Sequence, residues 1–287
     1  MILVNGASGK TGKAIIRSLV NMGQPVKAFI RRDGQRAAMT ALGVSEIFIG
    51  DMTKAEDFKI AAKGTEKIYH ICPNVSEYEV EIGKNMIYAA QNAGIERVIY
   101  HSVLHPHIEA MPHHWLKMRV EEMIIQSGLS FTILQPTAYM QNILNLIRVI
   151  KETGTYQVPF EPHSNTSLVD LLDVAEIATK VLIDPGHFGA SYELVGIGKI
   201  NPAEIANQLA SKMSTQIRAE KIDLLAWKEN SKKSGMSKYS IDSLLKMFQY
   251  YEEFNLRGND KVLGFLLGRK PTTFSTFLER ELSRSNK

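Results

Sequence analysis

Cysteine is almost absent. Cys72 is the only one in 287 residues, which excludes an intramolecular disulfide and any multi-cysteine zinc or iron–sulfur site. Redox chemistry, if the chain performs any, must come from a bound cofactor. Long apolar runs are missing too: none approaches the roughly 20 residues of a membrane-spanning helix, so no membrane association is expected. A basic leader with a small-residue cleavage site is also lacking, because Met1 leads straight into Ile2-Leu3-Val4. This start reads as a core strand rather than a signal peptide, and a cytoplasmic location is the expectation. The net charge is +4, but lysines and arginines are scattered among acids rather than gathered in a stripe. That pattern argues against a nucleic-acid partner. Internal repeats and low-complexity stretches are absent.

What is present is ordinary globular composition, 44% hydrophobic and 22% charged, arranged as alternating strand and helix signals. Short β-branched runs at 2–5, 26–30, 46–49, 67–71, 97–100 and 131–134 read as strands. Between them, 11–22, 35–42, 54–62, 77–93 and 114–126 read as helices, followed by Gly23, Gly43, Gly64, Gly94 and Gly128. Glycine just past a helix is the usual stop, since it takes the left-handed conformation without a Cβ penalty. The alternation predicts an α/β fold with a doubly wound parallel Rossmann sheet. The expected division is a Rossmann domain at 1–153 and a smaller, mostly helical C-terminal lobe at 154–287, with some segments returning to the main domain. Within that scheme 139–151 reads as a long helix, 154–166 as a loop, and Asp173 as the cap of a helix through 181. A strand follows at 191–195, Asn201-Pro202-Ala203-Glu204 forms a capping box with proline at the first helical position, and 224–254 and 272–282 read as helical. The lobe is expected over the carboxyl ends of the strands, where ligands bind in open α/β sheets.

The chemistry concentrates at three places. Gly6-Ala7-Ser8-Gly9-Lys10-Thr11-Gly12 joins an apolar strand to an amphipathic helix, so its glycines can serve the tight turn, close approach to a pyrophosphate, and helix packing. The helix starting near Thr11 offers free N–H groups and a positive dipole end to phosphates. A glycine-rich turn with no ligand is the bland alternative. The second strand is followed by Arg31-Arg32, where an NAD-specific protein would place a carboxylate for the ribose 2′-hydroxyl. Guanidiniums favour a 2′-phosphate and hence NADP(H). Asp33 complicates this reading, since a slip of one or two residues would present it to the hydroxyl instead, and a solvated strand end is the bland alternative.

These motifs resemble the NmrA-like branch of the atypical short-chain dehydrogenase/reductases, and the likeness spans most of the chain. It is carried by Gly6, Gly9 and Gly12, Arg31, Gly50-Asp51, Lys117 with Val120-Glu121, the run from Ser127 to Pro136, and Tyr139-Met140-Gln141-Asn142. Gln135 replaces the arginine often found before that proline. The resemblance implies a two-lobed protein with NADP(H) across the strand ends and a substrate cleft under the second lobe. Its implied cofactor contacts include Ser8, Lys10, Thr11, Arg32, Asp51, Met52, Cys72, Pro73, Asn74, Lys117, Pro136 and Tyr139. The family includes quinone reductases, relatives of plant phenylpropanoid reductases, and redox-sensing regulators.

Around the active site the chain departs from the wider superfamily, which pairs a tyrosine with a lysine four residues later. Here His113 stands four before Lys117, so the tyrosine acid is missing. Lys117 can bind the nicotinamide ribose, lower a neighbour's pKa, or transfer the proton itself if desolvated. Its bland alternative is a surface pair with Glu121 at i+4. Ser102, directly after the fifth strand, can reach nicotinamide or substrate. His101, His105, His107, His113 and His114 crowd one segment, yet their spacing is wrong for a metal site and suits a substrate-covering loop or plain solvated histidines. Cys72 is most simply a small buried apolar residue. Two functions follow as expectations: hydride transfer from NADPH to a small apolar acceptor such as a quinone or carbonyl compound, or non-enzymatic redox sensing through a protein partner.

Overall fold

A computed structural model describes Met1–Ser285. From the N-terminus it runs β1 (Ile2–Asn5), α1 (Lys10–Asn21), β2 (Val26–Ile30), a 3-10 turn (Asp33–Gln35) leading into α2 (Arg36–Thr40), β3 (Glu46–Ile49), α3 (Ala55–Ala62), β4 (Lys67–His70), α4 (Glu79–Ala93), β5 (Arg97–His101), α5 (Pro112–Gln126) and β6 (Phe131–Pro136). It continues with β7 (Ala138–Tyr139), a 3-10 helix (Met140–Asn145), α6 (Ile147–Thr153), β8 (Thr155–Val158), β9 (Thr166–Val169), α7 (Leu171–Ile183), β10 (Ala190–Leu194), β11 (Ile197–Ile200), α8 (Pro202–Met213), β12 (Arg218–Lys221), α9 (Leu224–Lys233), α10 (Lys238–Phe254), α11 (Lys261–Leu267) and α12 (Phe274–Ser285). None of the described helices is long and apolar enough to cross a membrane.

Contacts divide the chain into two compact units. The first holds Met1–Glu109, His113–Pro136 and Val174–Tyr192. Its sheet has the order β10-β6-β5-β4-β1-β2-β3, and the strands from β3 through β6 pair in parallel. β1 is buried along its whole length, which is why it reads as an unbroken apolar run rather than an alternating one. Leu3, Phe29, Phe58, Ile68, Met86, Tyr100, Val120 and Ile133 share one core. Phe29 sits edge-on to Phe48 and Phe58, with centroids 5.1 and 5.3 Å away. Full burial of such a side chain contributes about 1.5–3 kcal/mol. The strand order reverses between β1 and β4, which makes the carboxyl ends of these strands the crevice where ligands bind in this architecture.

The second unit holds Ala110–Pro112, Thr137–Asp173 and the chain from Glu193 onward. Helices predominate, with a small sheet β11-β9-β7 and a parallel pair β12-β8. Met140, Ile143, Leu168, Leu209, Phe274 and Phe277 form its core. Asp170 accepts from Arg280 at 2.6 Å and from Gln141 at 2.6 Å. The capping box is formed: Glu204 N–H donates to Asn201 Oδ1 at 2.9 Å, and Asn201 N–H to Glu204 Oε2 at 3.0 Å.

Local differences from the sequence reading have physical causes. Tyr139 is extended and pairs with Val169, so the expected helix at 139–151 starts as a strand, tightens into a 3-10 spiral, and becomes α-helical only at Ile147. The helix expected at 35–42 is shorter and opens with a 3-10 turn. The loop expected at 154–166 contains β8, held by β12. Helix 224–254 is two helices, broken where Gly235 takes φ +83° and Ser237 caps α10. Asp173 lies inside α7 rather than capping it, and its carboxylate takes Arg269 at 2.8 Å and the Thr272 N–H at 2.7 Å. The boundary expected at 153/154 falls within the second unit, which takes up the chain from Thr137.

Candidate functional site

The glycine turn follows β1 at the switch point. Gly6 adopts φ +65°, and a Cβ there would lie 2.7 Å from the Ile71 carbonyl oxygen, so both conformation and the close pass of the chain after β4 demand glycine. A Cβ on Gly12 would lie 2.4 Å from the Gly6 carbonyl oxygen and 2.8 Å from Ala7 Cα, because α1 packs directly on the turn. Gly9 is different: it is exposed, extended, and a Cβ would meet only the Gly6 carbonyl oxygen, at 3.3 Å. Gly9 is the N-cap of α1 and, having no side chain, makes no side-chain cap bond to that helix. The first N–H groups of a helix lack intrahelical acceptors, and glycine at this N-cap places no side chain over them. Ser8 and Thr11 are partly buried beside it, and partial burial lowers the pKa of Lys10.

At the end of β2 the Arg31 side chain is 71% exposed, with Asp51 Oδ2 3.8 Å from its guanidinium. Arg32 is exposed as well. Asp33 pairs with Arg36 at 3.0 Å on the following turn through one carboxylate oxygen, both side chains being exposed. Gln35 Oε1 accepts from the backbone N–H groups of Arg31 and Arg32, each at 3.0 Å, and its Nε2 donates to Ser8 Oγ at 2.8 Å. Asp51 Oδ1 accepts from the Thr53 N–H and hydroxyl at 3.0 and 2.9 Å, and these bonds lower its pKa. Met52 is tied beneath the turn, its Sδ accepting from Asn5 Nδ2 at 3.1 Å.

Beyond β4 and β5 lies a buried polar cluster. Lys117 Nζ is 3.1 Å from Glu79 Oε1 and 3.1 Å from the His101 carbonyl oxygen, and it stands 5.2 Å from the Tyr100 ring centroid. Glu79 is fully buried and also accepts from the Tyr100 hydroxyl at 2.8 Å. The surface pair of Lys117 with Glu121 is therefore not formed: Glu121 turns to Ser102, whose Oγ donates to Oε1, and to Gln135 Nε2, 3.0 Å from both carboxylate oxygens. Burial raises the Glu121 pKa. His113 is buried with no hydrogen-bond partner for Nδ1, and burial together with the Lys117 charge pushes its pKa well below the ordinary value. Burial and the nearby Lys117 charge hold His101 at about 3, where Nδ1 meets the Tyr69 hydroxyl at 2.7 Å. The expected solvated histidine loop is thus largely internal: His101, His113 and His114 are buried, and only His107 of the five is exposed. Among the described residues no three His, Cys, Asp or Glu side chains gather to hold a metal ion.

Cys72 is buried, and burial with the Glu79 charge pushes its thiol pKa up. Pro73 and Asn74 are exposed after it. Pro136 closes β6, its carbonyl accepting from the Leu104 N–H at 2.9 Å. The first unit thus contains every candidate position except Tyr139, which belongs to the second. Sequence reasoning misses Glu79, Tyr100 and Gln35, which are distant from their partners along the chain or lie off the glycine motif. Signals existed for two others: Glu121 follows Lys117 by one helical turn, and Gln135 occupies an arginine position.

A parallel sheet reversing at β1/β4, with a glycine turn and a glycine-capped helix at the reversal, defines a Rossmann-type α/β protein. The chain belongs to the NmrA-like family, whose model matches residues 1–278. It is 28% identical over 283 residues to the NAD(P)H azoreductase of Xenophilus azovorans, covering 96% of each chain. It is 24% identical over 277 residues to quinone oxidoreductase 2 of Escherichia coli (strain K12), again covering 96% of each. Its fold matches the solved structure of the NADPH-dependent quinone oxidoreductase QOR2 from Escherichia coli in complex with NADPH, with a TM-score of 0.85 at 23% identity over 98% of this chain and 100% of that one.

Proposed function

We propose that this chain is an NADP(H)-dependent oxidoreductase acting on a small, largely apolar acceptor such as a quinone or carbonyl compound. The observation that carries the reading is the glycine N-cap of α1 within the Gly6–Gly12 turn, with the exposed Arg31 guanidinium at the neighbouring strand end. These residues fit a dinucleotide: the glycine turn at the start of α1 suits a pyrophosphate, and Arg31 suits a 2′-phosphate. The names of the azoreductase and quinone oxidoreductase relatives support conjugated acceptors.

When bound, the nicotinamide supplies the hydride. The chain's own part is to hold the phosphates at the turn and to provide a proton at the strand ends. Ser102 lies just past β5, and its hydroxyl is joined to Glu121. Burial raises the Glu121 pKa while the bonds from Ser102 and Gln135 lower it, and Glu121 thereby orients the Ser102 hydroxyl at the end of β5. Lys117 is held by Glu79 and the His101 carbonyl, which assigns it to fixing the end of β5 and to setting the local charge. His113 stays neutral beside that charge. A redox sensor acting through a protein partner is the second reading, favoured by this engagement of Lys117, whose Nζ is turned to Glu79 and the His101 carbonyl rather than outward. The deciding experiment follows NADPH oxidation against quinones, azo compounds and aldehydes. Turnover with any of them establishes the enzyme, whereas nucleotide binding without oxidation across the panel selects the sensor.

A further inference from the structure

Gln35 joins two parts of the nucleotide site through hydrogen bonds of fixed direction. Its Oε1 accepts from two backbone N–H groups, those of Arg31 and Arg32 at 3.0 Å each. Backbone N–H groups only donate, so the amide oxygen must face them and the amide nitrogen must face the other way. That nitrogen, a donor only, lies 2.8 Å from Ser8 Oγ. Ser8 is therefore obliged to accept from Gln35, which leaves its hydroxyl hydrogen to be donated elsewhere.

We infer that Gln35 sharpens the nucleotide selectivity given by Arg31, by making Ser8 a hydrogen-bond donor toward a 2′-phosphate beside Arg31. A phosphate offers only acceptors, so a donor hydroxyl next to a guanidinium complements it. A ribose 2′-hydroxyl is better met by an acceptor, the role carboxylates play in NAD-binding relatives of this fold. Asp33 pairs with Arg36 through one oxygen on the exposed turn, whereas Gln35 is bonded directly to Ser8 and fixes its polarity. The inference rests on the NADP(H) reading above and deepens it.

Gln35→Glu tests the inference with almost no change in shape. One carboxylate oxygen keeps the two backbone N–H bonds, while the other takes the Ser8 hydroxyl hydrogen, turning Ser8 lone pairs outward and adding a negative charge. The probes are 2′,5′-ADP and 5′-AMP, which read the adenosine end by calorimetric titration without any hydride chemistry. Wild type should prefer 2′,5′-ADP, and Gln35→Glu should cut that preference roughly ten- to a hundredfold. Ser8→Ala should cut it by less, and Gln35→Glu should do less on the Ser8→Ala background than on wild type, since the two act through one bond. Thermal unfolding of each variant confirms that it is folded. If wild type prefers 2′,5′-ADP and folded Gln35→Glu keeps the same preference, the role of Gln35 is overturned while the NADP(H) reading stands. If wild type binds neither compound, both are overturned.

Discussion

Lys117→Met removes the one cation from a buried cluster and leaves Glu79 without it. The lysine side chain is 8% exposed and the glutamate 0%, with 3.1 Å between their charged atoms. Breaking a buried pair by deleting one partner is costly because the survivor keeps its desolvation penalty, and the usual loss is about 3–5 kcal/mol. The Tyr100 hydroxyl would still donate to Glu79, which places the expected loss toward the lower end. For a chain of this size a loss of 1 kcal/mol moves the midpoint by roughly 2–4 °C, so melting should fall by roughly 6–15 °C. Lys117→Met combined with Glu79→Gln removes both charges at nearly constant volume and should recover most of the loss. The assay is thermal and denaturant unfolding of wild type, both single variants and the double variant. A single Lys117→Met variant within about 1 kcal/mol of wild type, or a double variant no more stable than that single, would refute the view that the ion pair holds the end of β5.

Three other outcomes are expected. Arg31→Glu should weaken NADPH roughly ten- to a hundredfold by loss of a charge-assisted contact, toward the lower figure because Arg31 is exposed, and should leave NADH little changed; equal losses in paired titrations would contradict this. Gly9→Val should abolish nucleotide binding in a protein that still folds, whereas Gly12→Ala should cost roughly 1–3 kcal/mol of stability, because its Cβ collides with turn backbone; unfolding curves beside nucleotide titrations separate the two. Acid should destabilise the protein early: burial holds His70 and His101 at about 3 and His114 at about 4, below the value near 6.5 of an unfolded chain. Depressed imidazoles contribute stability that is complete above pH 6.5 and is lost as pH falls, to about pH 4 for His114 and about pH 3 for His70 and His101, at about 1.4 kcal/mol per pH unit each. Melting temperatures that do not fall between about pH 7 and pH 5 would show that these rings are not buried neutral.

The parallel sheet was legible because its strands are buried apolar runs and its helices end on glycine, both local signals. The glycine turn and Arg31 were legible because a motif and a strand end lie side by side in sequence. Tyr139 misled the helix assignment because its extended state is imposed by Val169, thirty residues on. The partner of Lys117 was not legible for the same reason: Glu79 starts α4 and meets the lysine only once β4, β5 and α5 are assembled, while Glu121, one turn away, offered a cheaper local answer. Gln35 carries no motif, and its meaning lies in the direction of three hydrogen bonds.

The Gly6–Gly12 turn and Arg31 are proposed to form an NADP(H) site. Calorimetric titration of the purified protein with NADPH and NADH under identical salt tests it directly. The account predicts saturable one-to-one binding of NADPH, with NADH at least about tenfold weaker because it lacks the 2′-phosphate that Arg31 and Ser8 would meet. Absence of NADPH binding, or equal affinity for the two nucleotides, would contradict it.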